Sequence, residues 1–266
     1  MRNYLLVLLM LVASGCADAP KSNTNSTIAS PADVNSTADT EFSEFEEELK
    51  AKEVKVADPL EGVNRVMFGF NDVLYFWVIK PVAQTWKGVV PTPARIGTGN
   101  FFENLATPVR LVNCLLQGKN EAAVKEWDRF IINTTAGVLG FGNPAKDKCG
   151  LEPADEDLGQ SLAKTGLGDG FYLVLPLLGP STLRDAVGRL GDGFLNPVYY
   201  VEPVEVAIGI TATRITNEYS FHIGDYELLK KAVDPYIMMR QAYIQYRKNQ
   251  IEDKVAPAAE QVLPRH

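Results

Sequence analysis

Histidine is nearly absent from this chain, with two among 266 residues. His266 is the last residue, so any Ser-His-Asp site would have to be built on His222. No Gly-x-Ser-x-Gly string occurs, and the nearest serine context is Gly159-Gln160-Ser161-Leu162. His222 follows Tyr219-Ser220-Phe221 and reads as a packed or capping residue. Cysteine is also scarce, at three, with no Cys-x-x-Cys and no His-Glu-x-x-His, so no zinc cluster can be written. Lys and Arg total 26 against 33 Asp and Glu, and no basic stripe is present for nucleic acid. Gly166-Leu167-Gly168-Asp169-Gly170 lacks the spacing and the Lys-Ser/Thr ending of a phosphate loop, and reads as a tight turn. Asp155-Glu156-Asp157 could pair carboxylates, but reads as the acid-rich first turn of a helix. With no catalytic constellation, no enzyme, metal or cofactor is expected.

What is present begins at the N-terminus. Arg2, the apolar run Tyr4 to Val12 and the small residues Ala13-Ser14-Gly15 form the three parts of a secretion signal over 1–15. The run is too short to span a bilayer, which takes roughly 20 apolar residues. Cys16 follows as in a lipobox, with Ala13 where Leu is usual, so Cys16 is the expected lipidated first residue of the mature chain. Two cysteines then remain, Cys114 and Cys149, which either pair in an oxidising envelope or stay as two buried thiols. Residues 16–57 are rich in Ser, Thr, Asn, Ala and acids, and read as a disordered tether. A chain of that size spans roughly 35 Å. Residues 252–266 read as a disordered tail.

Between them, 58–251 is nearly neutral and built of apolar blocks broken by Gly and Pro. Period-two alternation is hard to find, so the expected fold is all-α, with helices near 60–76, 78–87, 98–104, 107–117, 119–141, 155–163, 182–190, 201–217, 224–229 and 234–250. Val66 to Ile79 is apolar except for Gly69, Asn71 and Asp72. A helix apolar all round is buried in protein or in lipid. At about 21 Å it is too short to span, and taken alone it reads as the centre of a soluble core. Phe130 to Phe141, Phe171 to Leu178 and Val204 to Ile215 repeat the signal. Their recurrence, together with the anchor, favours a membrane-immersed body. Trp77, Trp86 and Tyr75, near Lys80 and Lys87, suit either a water–lipid interface or the solvent boundary of a core helix. Thr182-Leu183-Arg184-Asp185 resembles a capping box with Asp in place of Glu or Gln, and Gly179-Pro180 bends the chain before it.

Several strings carry a family resemblance. Asp58-Pro59-Leu60-Glu61-Gly62-Val63-Asn64-Arg65-Val66-Met67-Phe68-Gly69-Phe70-Asn71 resembles the opening of the MlaA/VacJ outer-membrane lipoproteins. Val90-Pro91-Thr92-Pro93-Ala94-Arg95, Asn113-Cys114-Leu115-Leu116-Gln117-Gly118, Leu175-Pro176-Leu177-Leu178-Gly179-Pro180-Ser181-Thr182-Leu183-Arg184-Asp185 and Asp234-Pro235-Tyr236 follow in family order. The resemblance implies a ring-like, all-helical body at one-leaflet depth in the outer membrane. It implies an amphipathic channel that passes misplaced outer-leaflet phospholipid to a periplasmic carrier of the MlaC type. A trimeric porin is the implied partner, and no cofactor is used. Channel-lining or gating roles are implied for Phe68, Phe70, Asn71, Leu175, Pro176, Leu177, Gly179, Pro180, Thr182, Arg184 and Asp185. A porin-associated structural lipoprotein and a lipid hydrolase built on His222 are the competing readings.

Overall fold

The computed structural model describes residues 56–253. The signal, Cys16, most of the tether and the tail from 254 onward lie outside the described residues. The first helix, α1 (Glu61–Leu74), runs through a π-helical turn (Tyr75–Ile79) into α2 (Lys80–Val89) without a break. This corrects the expectation of two separate short helices. Pro81 would interrupt an ordinary helical ladder, and the π turn just before it takes up the mismatch. The joined helix has 29 residues, or about 43 Å, so the argument that it is too short to span does not hold. Only 17% of its most apolar window is buried, which also overturns the reading of a soluble core helix.

Then come α3 (Thr92–Leu105), α4 (Thr107–Leu116), α5 (Asn120–Thr135), α6 (Pro144–Cys149) and α7 (Leu158–Lys164). Pro93, Pro108 and Pro144 stand at the first or second helical position, where an amide N–H is not needed. Two short strands then interrupt the otherwise helical chain. Tyr172–Leu175 (β1) and Gly179–Thr182 (β2) form an antiparallel hairpin, with Tyr172 opposite Thr182 and Leu175 opposite Gly179. Leu177 at its tip has φ +68°, a conformation that few L-residues adopt, and Gly179 has +74°. Beyond it lie α8 (Leu183–Leu195), a 3₁₀ turn (Pro197–Tyr200), α9 (Val204–Tyr219), α10 (Asp225–Leu229) and α11 (Pro235–Ile251). Thr182 caps α8 by accepting from the Asp185 amide at 3.2 Å, as its sequence pattern suggests.

Packing closes on itself. The joined α1–α2 helix touches β1, β2 touches α8, α8 touches α7, α7 touches α4, α4 touches α3, and α3 touches α9, which returns to α2. Two glycines let α7 and α8 cross closely, since a Cβ on Gly188 would lie 2.5 Å from the Gly159 nitrogen. Among the described residues one ordinary hydrophobic core is found, where Phe68, Tyr172, Val174, Met238, Met239 and Tyr243 meet between α1, the hairpin and α11. Val56 joins it, and the Ala57 carbonyl accepts from the Tyr172 amide at 3.0 Å, so the folded body includes residues before 58.

Elsewhere the usual distribution is inverted. Among the described residues, nineteen polar or charged side chains are buried against sixteen hydrophobic ones, while thirty-two large hydrophobics are exposed. A soluble domain scatters exposed apolar residues singly; contiguous stripes mark a membrane or partner surface.

Candidate functional site

Helix α8 shows how the inversion builds a site. Leu183, Val187, Leu190 and Phe194 recur at spacings of four, three and four, and all four are exposed. Asp185, Arg189, Asp192 and Asn196 form a second stripe at the same spacing, and all four line a cavity of about 360 Å³. The polar face is thus the inner face, the reverse of a helix on a soluble protein. Helix α1 repeats the pattern, with Val63, Val66, Phe70, Val73 and Trp77 outside and Asn64, Phe68, Asn71 and Tyr75 toward the protein.

The cavity is walled by α4 (Ala106 leading in, then Val109 and Arg110), by Asp155, Glu156 and Asp157 before α7, and by Leu178 and Pro180 of the hairpin. Arg214 of α9 and Tyr243, Tyr246, Arg247 and Gln250 of α11 complete it. The acidic triplet is therefore not in the first turn of its helix, as the sequence suggested. It stops one residue short, because the Asp157 side chain is needed as the cap, accepting from the Gln160 amide at 2.8 Å.

A buried ion cluster forms one wall. Arg247 bonds Asp157 at 2.6 Å and Asp185 at 3.0 Å, and the Tyr243 hydroxyl donates to Asp185 at 2.8 Å. Burial alone would raise both carboxyls, but Arg247 outweighs it and holds Asp157 and Asp185 below the usual carboxylate range. Burial equally opposes the charge on Arg247, and the two aspartates outweigh it in turn. Asp192 differs. Burial pushes its carboxyl up, because its hydrogen-bond donors, the Leu158 amide and Asn113, are neutral.

The hairpin tip is clipped from both sides. Asn71 donates to the Leu175 carbonyl at 2.9 Å and accepts from the Leu177 amide at 2.8 Å. Arg189 reaches the carbonyls of Leu178 and Pro180 at 3.5 and 3.3 Å. Of the residues singled out by sequence, Pro180 and Asp185 line the cavity, while Asn71, Leu175, Leu177 and Gly179 belong to the clipped hairpin with exposed Pro176. Phe68 is corrected to a core residue, edge-on to Tyr236 with ring centres 6.0 Å apart. Arg184 is buried and bonded to Asp169 and Asp185 at 2.7 and 2.9 Å, and it lines no part of the cavity. Phe70 points outward. Arg189, Asp192, Arg214 and Arg247 were missed, although the four-three-four polar spacing of α8 was available in the sequence as a signal for the first two.

No Cys114–Cys149 bond forms, which corrects that pairing. Cys114 is a free thiol, fully buried, and burial beside Glu156 and Glu126 raises its pKa to about 11. A thiol so held yields little thiolate for exchange. Trp77 is 80% exposed, in keeping with an interface, whereas Trp86 donates inward to Asn217 at 3.1 Å and Tyr75 is buried. His222 is exposed at the end of α9 and lines none of this cavity.

Comparison with known proteins assigns these features to a lineage. The family model described as MlaA lipoprotein matches residues 56–250, the whole closed circuit of elements. The chain belongs to the MlaA lipoprotein family. The chain is 38% identical over 196 residues to the intermembrane phospholipid transport system lipoprotein MlaA of Escherichia coli K12, covering 71% of this chain and 76% of that one. Its counterpart in Haemophilus influenzae is 30% identical, covering 78% and 84%. A solved chain, from work on the structural basis for maintenance of bacterial outer membrane lipid asymmetry, superposes with a TM-score of 0.66 at 34% identity. It covers 73% of this chain and 99% of that one. The mostly helical architecture is thus the architecture of this MlaA family member's solved relative.

Proposed function

We propose that this chain is the outer-membrane lipoprotein of an intermembrane phospholipid transport system, and that it moves phospholipid out of the outer leaflet without altering it chemically. The observation that carries the reading is the inverted α8 helix, with an apolar stripe facing outward and a charged stripe lining a cavity. Lipid tails favour the first surface and head groups the second, as a passage through an apolar medium requires. The names of the Escherichia coli and Haemophilus influenzae relatives support the same reading.

In this proposal the body lies at one-leaflet depth and Cys16 carries the lipid anchor. In its middle the joined α1–α2 helix turns polar groups onto protein: Asn71 on the hairpin, Asp72 with Lys230 at 3.1 Å, and Lys80 with Glu227 at 2.6 Å. It therefore suits a helix laid along the leaflet with one side in lipid. The hairpin acts as the movable rim between α1 and α8, a periplasmic carrier of the MlaC type receives the lipid, and a trimeric porin holds the body in place.

The test is deletion of the gene with measurement of phospholipid exposed in the outer leaflet. Exposure should rise on deletion, fall with the intact chain, and stay raised with Asn71→Ala, which unclips the rim. Unchanged exposure in the deletion strain would overturn the reading. Release of fatty acid from labelled phospholipid by the purified protein would replace it with a hydrolase.

A further inference from the structure

The cavity contains four charged side chains that make no ion pair among the described residues; Arg247 reaches Asp192 only as a distant charge. Most of its ionic groups are committed: Arg110 to Glu126, Glu156 to Lys119, and Arg247 to Asp157 and Asp185. Arg189 meets only the two hairpin carbonyls. Arg214, half-buried and the one basic residue of α9, makes no ion pair there. Asp192 accepts from Asn113 and the Leu158 amide at 2.8 and 3.0 Å, both neutral. Asp155 accepts from the Tyr246 hydroxyl at 3.0 Å and the Gln250 amide at 2.7 Å, also neutral. Two cations and two anions are left over in one cavity.

We propose that this cavity is a head-group site selective for zwitterionic phospholipid, with Arg189 and Arg214 holding the phosphate and Asp155 and Asp192 the ammonium. The inference rests on the transport reading and specifies its cargo. Guanidinium is the side chain best matched to phosphate oxygens, because its N–H groups fork to two of them at once. Arg189, Asp192 and Arg214 are partly withdrawn from water without an ion-pair partner, a cost that a ligand with one charge of each sign relieves. Exposed Asp155 adds attraction for the ammonium without such a cost. An anionic head group such as phosphoglycerol would satisfy the arginines and leave both aspartates facing a negative group. The Asp192 carboxyl, already pushed up by burial, would be pushed further by an anion and restored by an ammonium. Size agrees as well: about 360 Å³ holds roughly a dozen waters, enough for a head group but not for acyl chains. Ala106, Val109 and Leu178 supply apolar wall where the chains would begin.

The test uses the full chain in non-ionic detergent, with phosphatidylethanolamine and phosphatidylglycerol of identical chains, and bound lipid counted by native mass spectrometry. The intact protein should prefer phosphatidylethanolamine by about tenfold, and Arg189→Gln or Arg214→Gln should weaken both lipids by about tenfold, the scale of one lost charged hydrogen bond. Arg214→Lys keeps the charge and should lie between. Asp155→Asn, at an exposed site, should bring the ratio of the two lipids toward one. Soluble glycerophosphoethanolamine should displace lipid better than inorganic phosphate does. Equal binding of the two lipids by the intact protein, wild-type binding by Arg214→Gln, or equal displacement by inorganic phosphate would each overturn the assignment. Helicity by circular dichroism accompanies every variant; should the Gln variants misfold, Arg214→Lys and Asp155→Asn carry the test. Equal binding alongside restored lipid asymmetry in cells would sink the head-group site alone, whereas an unchanged deletion strain would sink the transport reading beneath it.

Discussion

Two halves of the molecule are held together by opposite means. Between α1, the hairpin and α11, Phe68, Tyr172, Met238, Met239 and Tyr243 exclude water as in any soluble domain. Across α3, α4, α5 and α9 the interior is polar. Arg95 donates to the Ser220 hydroxyl at 2.9 Å, Asn104 to Thr134 at 3.0 Å, Asn133 to Asn143 at 3.0 Å, and Arg110 to Glu126 at 2.9 Å. Glu126 also accepts from the Ala154 amide at 2.6 Å, and Arg129 donates to the Leu151 carbonyl. The outer surfaces of that half carry Val124, Trp127, Leu115 and Leu116, all exposed. In the proposed leaflet placement, a helix surrounded by lipid would gain nothing from burying more apolar surface, which accounts for interior contacts made by hydrogen bonds and ion pairs. The difference teaches that one half packs apolar groups inward while the other packs polar ones inward.

The sharpest way to break the comparison is to damage each half with its own kind of insult. Glu126→Ala should cost about 3–5 kcal/mol of unfolding free energy, since Arg110 loses its carboxylate in a buried setting. Thermal unfolding in detergent reads this, and a loss under 1 kcal/mol would mean the polar interior holds nothing together. A charge on the outer stripe should do the opposite. Leu190→Lys should leave the melting temperature in detergent unchanged, yet weaken membrane retention of a Cys16→Ala chain by about 2.5–3.5 kcal/mol if residue 190 sits in hydrocarbon. Met239→Lys, in the water-excluding core, should prevent folding in either medium.

Acid sharpens the boundary between the halves. Asp157 and Asp185 have folded pKa values below their unfolded ones, so their pairing with Arg247 stabilises the protein above about pH 4 and is lost as pH falls through the lowered values. Asp192 works in the other sense, its raised value costing stability as pH rises past the unfolded one. Asp157→Asn should therefore flatten the acid limb of a stability-against-pH curve, and an unaltered limb would show that the cluster is not what acid breaks. Smallest of all, Thr182→Ala removes the α8 cap and should cost about 1 kcal/mol, with the hairpin contacts of Asn71 left intact.

Much of this was legible beforehand, and the parts that were not share a cause. The Thr182 cap and the positive φ at Gly166 and Gly170 follow from local pattern, which needs no partner to be read, whereas the outward turn of the apolar stripe on α1 does not. The hairpin escaped because Tyr172 to Leu175 pairs with Gly179-Pro180, a strand with little strand propensity, held by Asn71 from a helix a hundred residues earlier. Phe68 and Arg184 were assigned to a channel because they sit in family strings, yet one packs on Tyr236 and the other is locked between Asp169 and Asp185.

By itself the sequence determined that this chain is helical, poor in titratable catalytic groups, nearly neutral in its folded part, and too apolar in stripes for an ordinary soluble surface. Periodicity states which residues share a face of a helix; it does not state which face turns inward. Only the tertiary structure decided that the Asp185–Arg189–Asp192 side of α8 faces the interior, that Arg247 reaches both Asp157 and Asp185, and that Arg189 and Arg214 are left without a carboxylate. Those are matters of which distant charges meet, and that depends on how the circuit of helices closes rather than on spacing within any one of them.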